Sequence, residues 1–525
     1  MQLKVCHVFI VLFFVCLFFK NQAVAKDIKT WDIRNYGAKS EKDFNNAKAI
    51  QEAIDAAAQN GGGLVLIPEG VYTTGTLELK SNVELHLAEG AVLQGSQYRK
   101  DYDGFPHLSL LIAFKQHDIS ITGKGTIDGN GRKVMDDILR RLKEGSLQDP
   151  DWKVKRPRES SRVNLFYFEE CHNISVKDVF CKDASAWVTH YERSKNINID
   201  NIRLESMAYW NNDGIDIVDC KNVRITNSFI NSADDAICLK SNHVNDFCDS
   251  IYVENCILRS SANAFKLGTG STGGFKNITV KNLTVYDTYR SAIALEAVDG
   301  GFLENIDIRN IKAKNTGNAV LIRLGHRNRD ERYSTVKNIY IKDMQVEVPL
   351  EKPDKDYEME GPLLKYPPMV VPGKNEIKSI SPWNWSAADK TAIEYKHNVF
   401  PSSVCGLPNH PVENVRLENI DIVYHTRADK SVNSFPLDSF NVITEAESDY
   451  PEFSMYGELP VWGFYVRHVN GFTLNNCRVT MKGEDFRVPY LLNDAKNVLL
   501  KKVSARGKTG KPKIFINSVT AFKQE

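Results

Sequence analysis

Three aspartates, Asp213, Asp234 and Asp235, are spaced 21 and 22 residues apart, and short apolar runs follow them. Ile215-Asp216-Ile217-Val218 follows the first and Ile237-Cys238-Leu239-Lys240 follows the pair. If one turn of a coil-like fold takes about that many residues, the two runs become neighbouring parallel strands about 4.8 Å apart. The three carboxylates then converge on one surface. Carboxylates held that close cannot all ionise at ordinary pKa values, so one keeps a proton near neutrality while another stays a base. A proton donor and a base on one surface are what cleavage of a glycosidic bond requires.

The elements that must position these acids repeat. The pattern Asn-apolar-x-apolar recurs at Asn173, Asn196, Asn222, Asn277, Asn305, Asn338, Asn414 and Asn497, with Asp249 and Asn470 near the expected gaps. Intervals such as 23, 26 and 28 residues are nearly constant. Each holds two or three strands too short to bury a face alone, so the units must stack. A second register, aligning Gly214, Ala236, Ala264, Ala292 and Ala319, stacks Ile215, Ile237, Phe265, Ile293 and Val320 in one apolar column. Ile217, Leu239, Leu267, Leu295 and Ile322 form another. By the two-residue period of a strand, Asp216, Cys238, Lys266, Ala294 and Leu321, then Val218, Lys240, Gly268, Glu296 and Arg323, face outward. The plain alternative for the polar ones is an ordinary solvated face. Asp213, Asp235 and Asn263 share a column at the strand starts.

This rhythm implies an all-β chain, a single right-handed parallel β-helix. A propeller wants repeats of about 40 residues and a leucine-rich horseshoe wants its own leucine pattern; neither fits. Ala49, Ile50, Ala53, Ile54 and Ala57 recur at helical spacing before Gly61-Gly62-Gly63, which predicts a short N-terminal helix capping the open end of the core. The repeat is interrupted between Asn338 and Asn414. Residues of about 349–411, rich in proline and carrying Tyr366, Trp383, Trp385 and Tyr395, are expected to be a long loop over one face, either shaping a sugar cleft or packing on the coils.

Residues 1–25 have the pattern of an export leader: Lys4, an apolar run from Val8 to Phe19, and Ala23-Val24-Ala25 as a cleavage site. The run is short for a membrane span, and Phe14-Val15 before Cys16 do not suit lipid attachment. The mature chain would then be one domain, residues 26–525, periplasmic or secreted and monomeric. Its eight cysteines show no CxxC pairing, so no metal site is expected, and Cys220, Cys256 and Cys477 suit buried free thiols. With 67 basic and 66 acidic residues, nucleic-acid binding driven by bulk charge is excluded. No cofactor is expected.

Gly123-Lys124-Gly125-Thr126-Ile127-Asp128-Gly129, Asn211-Asn212-Asp213-Gly214-Ile215-Asp216 and Asp234-Asp235, in that order, resemble glycoside hydrolase family 28, the polygalacturonase and rhamnogalacturonan hydrolase group. Asn35-Tyr36-Gly37-Ala38 and Gly61-Gly62-Gly63-Leu64-Val65-Leu66-Ile67-Pro68 are similar to that family's N-terminal end. The resemblance, over roughly residues 30 to 500, implies an inverting hydrolase on a right-handed β-helix. It makes Asp234 the general acid, with Asp213 and Asp235 holding and activating the water, and a carboxyl separation of roughly 6.5–9.5 Å across the gap.

The departures bear on the substrate. Asn263-Ala264 stands where polygalacturonases carry Gly-His-Gly, and Ala294 and Glu296 stand where they carry an Arg-x-Lys pair that grips a substrate carboxylate. Lys240, Lys266 and Arg323, with His326 and Arg327 just after, are substitute cations on the same face. Lys266 is the favoured one. Glu296 would bond sugar hydroxyls or pair with Lys266. The expected substrate is a galacturonate-containing pectic poly- or oligosaccharide, with exo action or a rhamnogalacturonan backbone as the natural variations. Two other readings use the same residues: a pectic lyase with the aspartates as calcium ligands, and a non-catalytic carbohydrate-binding solenoid.

Overall fold

In the computed structural model the described residues are 29–41, 43–150, 152, 156–351, 353–354, 357, 400–427, 437, 443–456, 459–485, 487–508 and 513–525. The leader read at 1–25 and the four aromatic residues named in the 349–411 insertion lie outside them.

Every strand pairing between named strands is parallel, and in the regular coils each strand pairs with the third strand after it. Ile215–Val218, Lys221–Thr226 and Phe229–Ser232 make one coil, and Ile237–Ser241, Cys248–Glu254 and Ile257–Ser260 make the next. Three parallel sheets result, wound as a right-handed β-helix. The expected register holds: Ile215 pairs with Ile237, Ile237 with Phe265, Phe265 with Ile293 and Ile293 with Val320. Both apolar columns are buried in one continuous core. Alternation puts one residue in two into that core, which is why strands of four to seven residues suffice once stacked.

The recurring asparagines turn the corners. All eight named from the repeat adopt the left-handed backbone conformation, with φ between 53° and 60°. Asparagine tolerates that region because its short amide bonds locally. Here the amides also bond one another from coil to coil. Asn196 donates to Asn173 at 2.9 Å and Asn222 donates to Asn196 at 2.8 Å. Asn414 donates to Asn338 at 3.2 Å, so the ladder continues across the insertion.

The N-terminal cap is the helix Ala47–Gln59, which buries Ala49, Ile50, Ala53, Ile54 and Ala57 as its spacing predicts. A second helix, Gly131–Glu144, was not expected; it buries Val134, Met135, Ile138 and Leu142. The expected 349–411 loop is too long at its C-terminal end. Ser402–Cys405 is a coil strand lying between Leu321–Arg323 and Phe464–Arg467. All eight cysteines among the described residues are buried and free.

Candidate active site

Asp213, Asp234 and Asp235 sit at the corner that leads into the first of the three sheets. Gly214 N–H donates to the Asp235 carbonyl and Ala236 N–H to that of Asn263, at 2.8 and 2.9 Å, so Asp213, Asp235 and Asn263 stand one above another. Trp187 occupies the same column one coil earlier, since Val188 N–H donates to the Asp213 carbonyl at 2.8 Å. The preceding column holds Asn212, Asp234, Ala262 and Arg290, the last through Arg290 N–H to the Ala262 carbonyl at 2.8 Å.

The corner is braced by buried polar groups. The Asn212 amide accepts from Ala208 and Tyr209 N–H and donates to the Ala184 and Ala186 carbonyls. The hydroxyls of Ser232 and Ser260 both donate to the Asp234 carbonyl at 2.6 Å. Buried Arg162 donates to Asn211 at 2.8 Å, and Asn211 in turn donates to the Asp234 carboxylate at 3.3 Å.

The three acids offer carboxylate oxygens that all lie within 4.8 Å of one another. These nearest oxygens lie closer than the roughly 6.5–9.5 Å expected between the carboxyl groups. The reason is the coil spacing, since side chains leaving one corner on adjacent strands start less than 5 Å apart. Oxygens up to 4.8 Å apart admit one bridging water, with two hydrogen bonds of about 2.8 Å meeting at an angle of about 120° or less.

Charge differentiates the three. Asp234, the least buried, has its pKa raised, by burial first and then by the neighbouring Asp235, against Arg290, Lys266 and Arg156. Burial would raise Asp235 too, but Lys266, Lys240, Arg290 and the Asn263 amide outweigh it and hold Asp235 below the usual range. Lys266 Nζ lies 3.1 Å from Asp235. Asn263 donates to one Asp235 oxygen from both its backbone and its side chain. Asp213 is pushed well up by burial, with Lys240 Nζ 2.9 Å away opposing. The same ammonium bonds Asp216, whose carboxyl burial pushes up to about 7. One positive charge facing two buried carboxyls offsets only one of them, so ionising both together is disfavoured. Lys240 also sits 3.9 Å from the centre of the Trp187 ring.

The first outward column holds in register, the second is broken at Gly268, where the ladder shifts so that Ser241 pairs with Ser271, and neither is exposed as expected. Asp216, Cys238, Lys266, Glu296 and Arg323 are buried rather than solvated. Residues 443–456, part of the connection between the strands Val412–Arg427 and Val461–Glu484, lie on Lys266 and Arg323. Tyr450 accepts from Lys266 Nζ at 3.1 Å, Glu452 pairs with Arg290 at 3.3 Å, and the Glu447 carbonyl accepts from His326 N–H at 2.8 Å.

Of the residues expected at the site, the structure brings together Asp213, Asp234, Asp235, Asn263, Lys240 and Lys266. Glu296 lies behind Lys266, 3.8 Å from its Nζ, with burial pushing its carboxyl up to about 7. Arg323 is placed elsewhere. Its guanidinium donates to the carbonyls of Gly406, Glu445 and Ala446 and to the Tyr456 hydroxyl, anchoring the covering segment. Arg327 is bidentate with Asp299.

Trp187, Arg290, Tyr450 and Glu452 were not singled out from sequence. The repeat register holds the signal for the first two, which fall in the two aspartate columns. Asn414 to Asn470 is 56 residues, two coils' worth without an intervening repeat, which marks a second insertion but not which of its residues reach the site. The carboxylate oxygens could group round a cation, although Lys240 and Lys266 already supply positive charge to Asp213 and Asp235.

A model of the glycosyl hydrolases family 28 matches residues 60–348. The exo-poly-alpha-D-galacturonosidase of Dickeya chrysanthemi is 26% identical over 348 residues, covering 57% of each chain. A probable polygalacturonase of Vitis vinifera is 27% identical over 330 residues, covering 59% of each. The chain therefore spans under two thirds of the length of these curated relatives. Among solved structures, an exopolygalacturonase from Thermotoga maritima superposes with a TM-score of 0.55 at 21% identity, covering 76% of this chain and 87% of that one. A family 28 exopolygalacturonase from Yersinia enterocolitica gives 0.59 at 17%, covering 94% and 78%. Both share the fold.

Proposed function

This chain belongs to glycosyl hydrolases family 28, and on that premise we propose that it hydrolyses glycosidic bonds beside galacturonate in pectic saccharides, working inward from a chain end. The observation that carries this reading is the division of labour among three convergent carboxyls. Asp234 tends to hold a proton and Asp235 tends to lose one, within 4.8 Å of each other.

In the proposed reaction Asp234 donates its proton to the glycosidic oxygen as the bond from that oxygen to the anomeric carbon breaks. A water held between Asp213 and Asp235 attacks the same carbon, and its proton passes to Asp235. Lys266 and Asn263 keep Asp235 ionised, so it accepts that proton without first having to lose one. Trp187, part-exposed one coil before Asp213, offers a ring face for the sugar. Inversion follows if water and leaving oxygen occupy opposite faces of the ring.

Action from a chain end is supported by the covering segment. Residues 443–456 lie over the coils just beyond Asp235, with Tyr450 on Lys266. Three of the curated and solved relatives are described as exo-acting. Export to the periplasm or cell exterior completes the reading and rests on the leader pattern of residues 1–25. Among the described residues no helix is long and apolar enough to cross a membrane.

The test is digestion of a panel of pectic oligosaccharides, following product identity and anomeric configuration. Steady release of small galacturonate products with inverted configuration is expected. Retained configuration would remove the water-attack assignment, and an unsaturated, ultraviolet-absorbing product would replace hydrolysis by elimination.

A further inference from the structure

The Arg-x-Lys positions hold Ala294 and Glu296, so a galacturonate carboxylate has no cation there. Glu296 is buried and carries the wrong charge. If the site takes galacturonate at all, the carboxylate must be received by other donors.

Arg290 is placed to do this. It stands in the column of Asp234, two coils on, and its charge acts on both Asp234 and Asp235. Its side chain remains 17% exposed and has one ion pair among the described residues, with Glu452 at 3.3 Å. Its Nε–H has no acceptor there, an unusual state for a buried guanidinium donor. Tyr450 arches over the same spot, its ring centre 6.0 Å from the Arg290 guanidinium carbon and 5.3 Å from Lys266 Nζ. Because the Tyr450 oxygen accepts from Lys266, its own proton is left to donate elsewhere.

We infer that Arg290, with the Tyr450 hydroxyl beside it, is the carboxylate receptor of this site and sets its preference for a uronate over an uncharged sugar. This rests on the hydrolase reading above. An arginine suits the task because its planar fork matches a carboxylate's two oxygens. The arrangement also differs in origin from an Arg-x-Lys pair. One donor comes from a coil corner and the other from a distant insertion, so the receptor exists only when residues 443–456 are seated.

The experiment compares free-acid oligogalacturonides with their methyl esters, which keep the ring and remove the charge. Wild type, Arg290→Gln, Arg290→Lys and Tyr450→Phe are assayed for KM and kcat, with thermal unfolding as a check on folding. For Arg290→Gln the expected result is a KM on the free acid raised at least tenfold and a loss of most of the preference for acid over ester. Arg290→Lys should recover part of it, and Tyr450→Phe should give a smaller shift the same way. A wild type that cleaves the free acid, beside an Arg290→Gln enzyme keeping the full preference, overturns the receptor while leaving the hydrolase reading intact. If Arg290→Gln does not fold, an unchanged preference in Arg290→Lys and Tyr450→Phe overturns it equally. A wild type that cleaves neither substrate overturns the hydrolase reading and the receptor with it.

Discussion

Asn263 donates twice to one oxygen of Asp235, from its backbone N–H at 2.9 Å and from its side-chain amide at 2.8 Å. It stands where the family resemblance leads one to expect a histidine, and here its amide stabilises the ionised form of the neighbouring acid.

Replacing Asn263 with alanine removes the side-chain donor and keeps the backbone one. A donor to the charged form lowers a pKa, so its loss raises that of Asp235. The acid limb of the pH–rate profile should move to higher pH, so kcat should fall more on the acid side than near neutrality. An acid limb that stays in place counts against Asp235 as the base.

Asp234→Asn removes the proton donor with little change in volume. We expect kcat to fall by about 10²–10⁴, with the fold kept. The alkaline limb should disappear, because that limb reports Asp234 losing its proton. Near-wild-type turnover on pectic oligosaccharides would end the assignment.

Glu296 illustrates a stability cost of this site. Its folded pKa of about 7 lies above the ordinary glutamate value, so the folded state binds the proton more tightly than the unfolded one. Its contribution is therefore greatest below about pH 4.5 and is lost as pH rises toward 7, on the order of 2–4 kcal/mol. Glu296→Gln should match wild type in thermal unfolding at pH 4 and exceed it at pH 8. A difference between the two proteins that does not vary with pH would contradict this.

Arg323→Met leaves three carbonyls and a hydroxyl without their donor beneath the covering segment. Destabilisation of about 2–4 kcal/mol is expected. Limited proteolysis should then cut first in the connection between Arg427 and Val461. An equally resistant connection would mean that the segment is held by other contacts.

Much of the fold is legible in the chain because a solenoid's information is local. Asn173 and its successors mark corners that need a left-handed residue, and alternation about Ile215 and Ile217 states which side faces the core. Together these determined the coil period, the parallel register and the convergence of Asp213, Asp234 and Asp235. Whether an outward side chain meets water is not local. Lys266 and Arg323 read as solvated or sugar-facing, and a segment some 120 to 190 residues further along the chain covers them. That segment carries no periodicity, because irregular backbone held by single contacts leaves no repeat. Burial raises all three carboxyls, and it is the cations and the Asn263 amide packed beside them that set Asp235 apart; the segment itself contributes Tyr450 beside Arg290 and is what Arg323 anchors. The sequence by itself determined where the acids meet; only the tertiary structure decided which charges surround them, since desolvation depends on what lies on top.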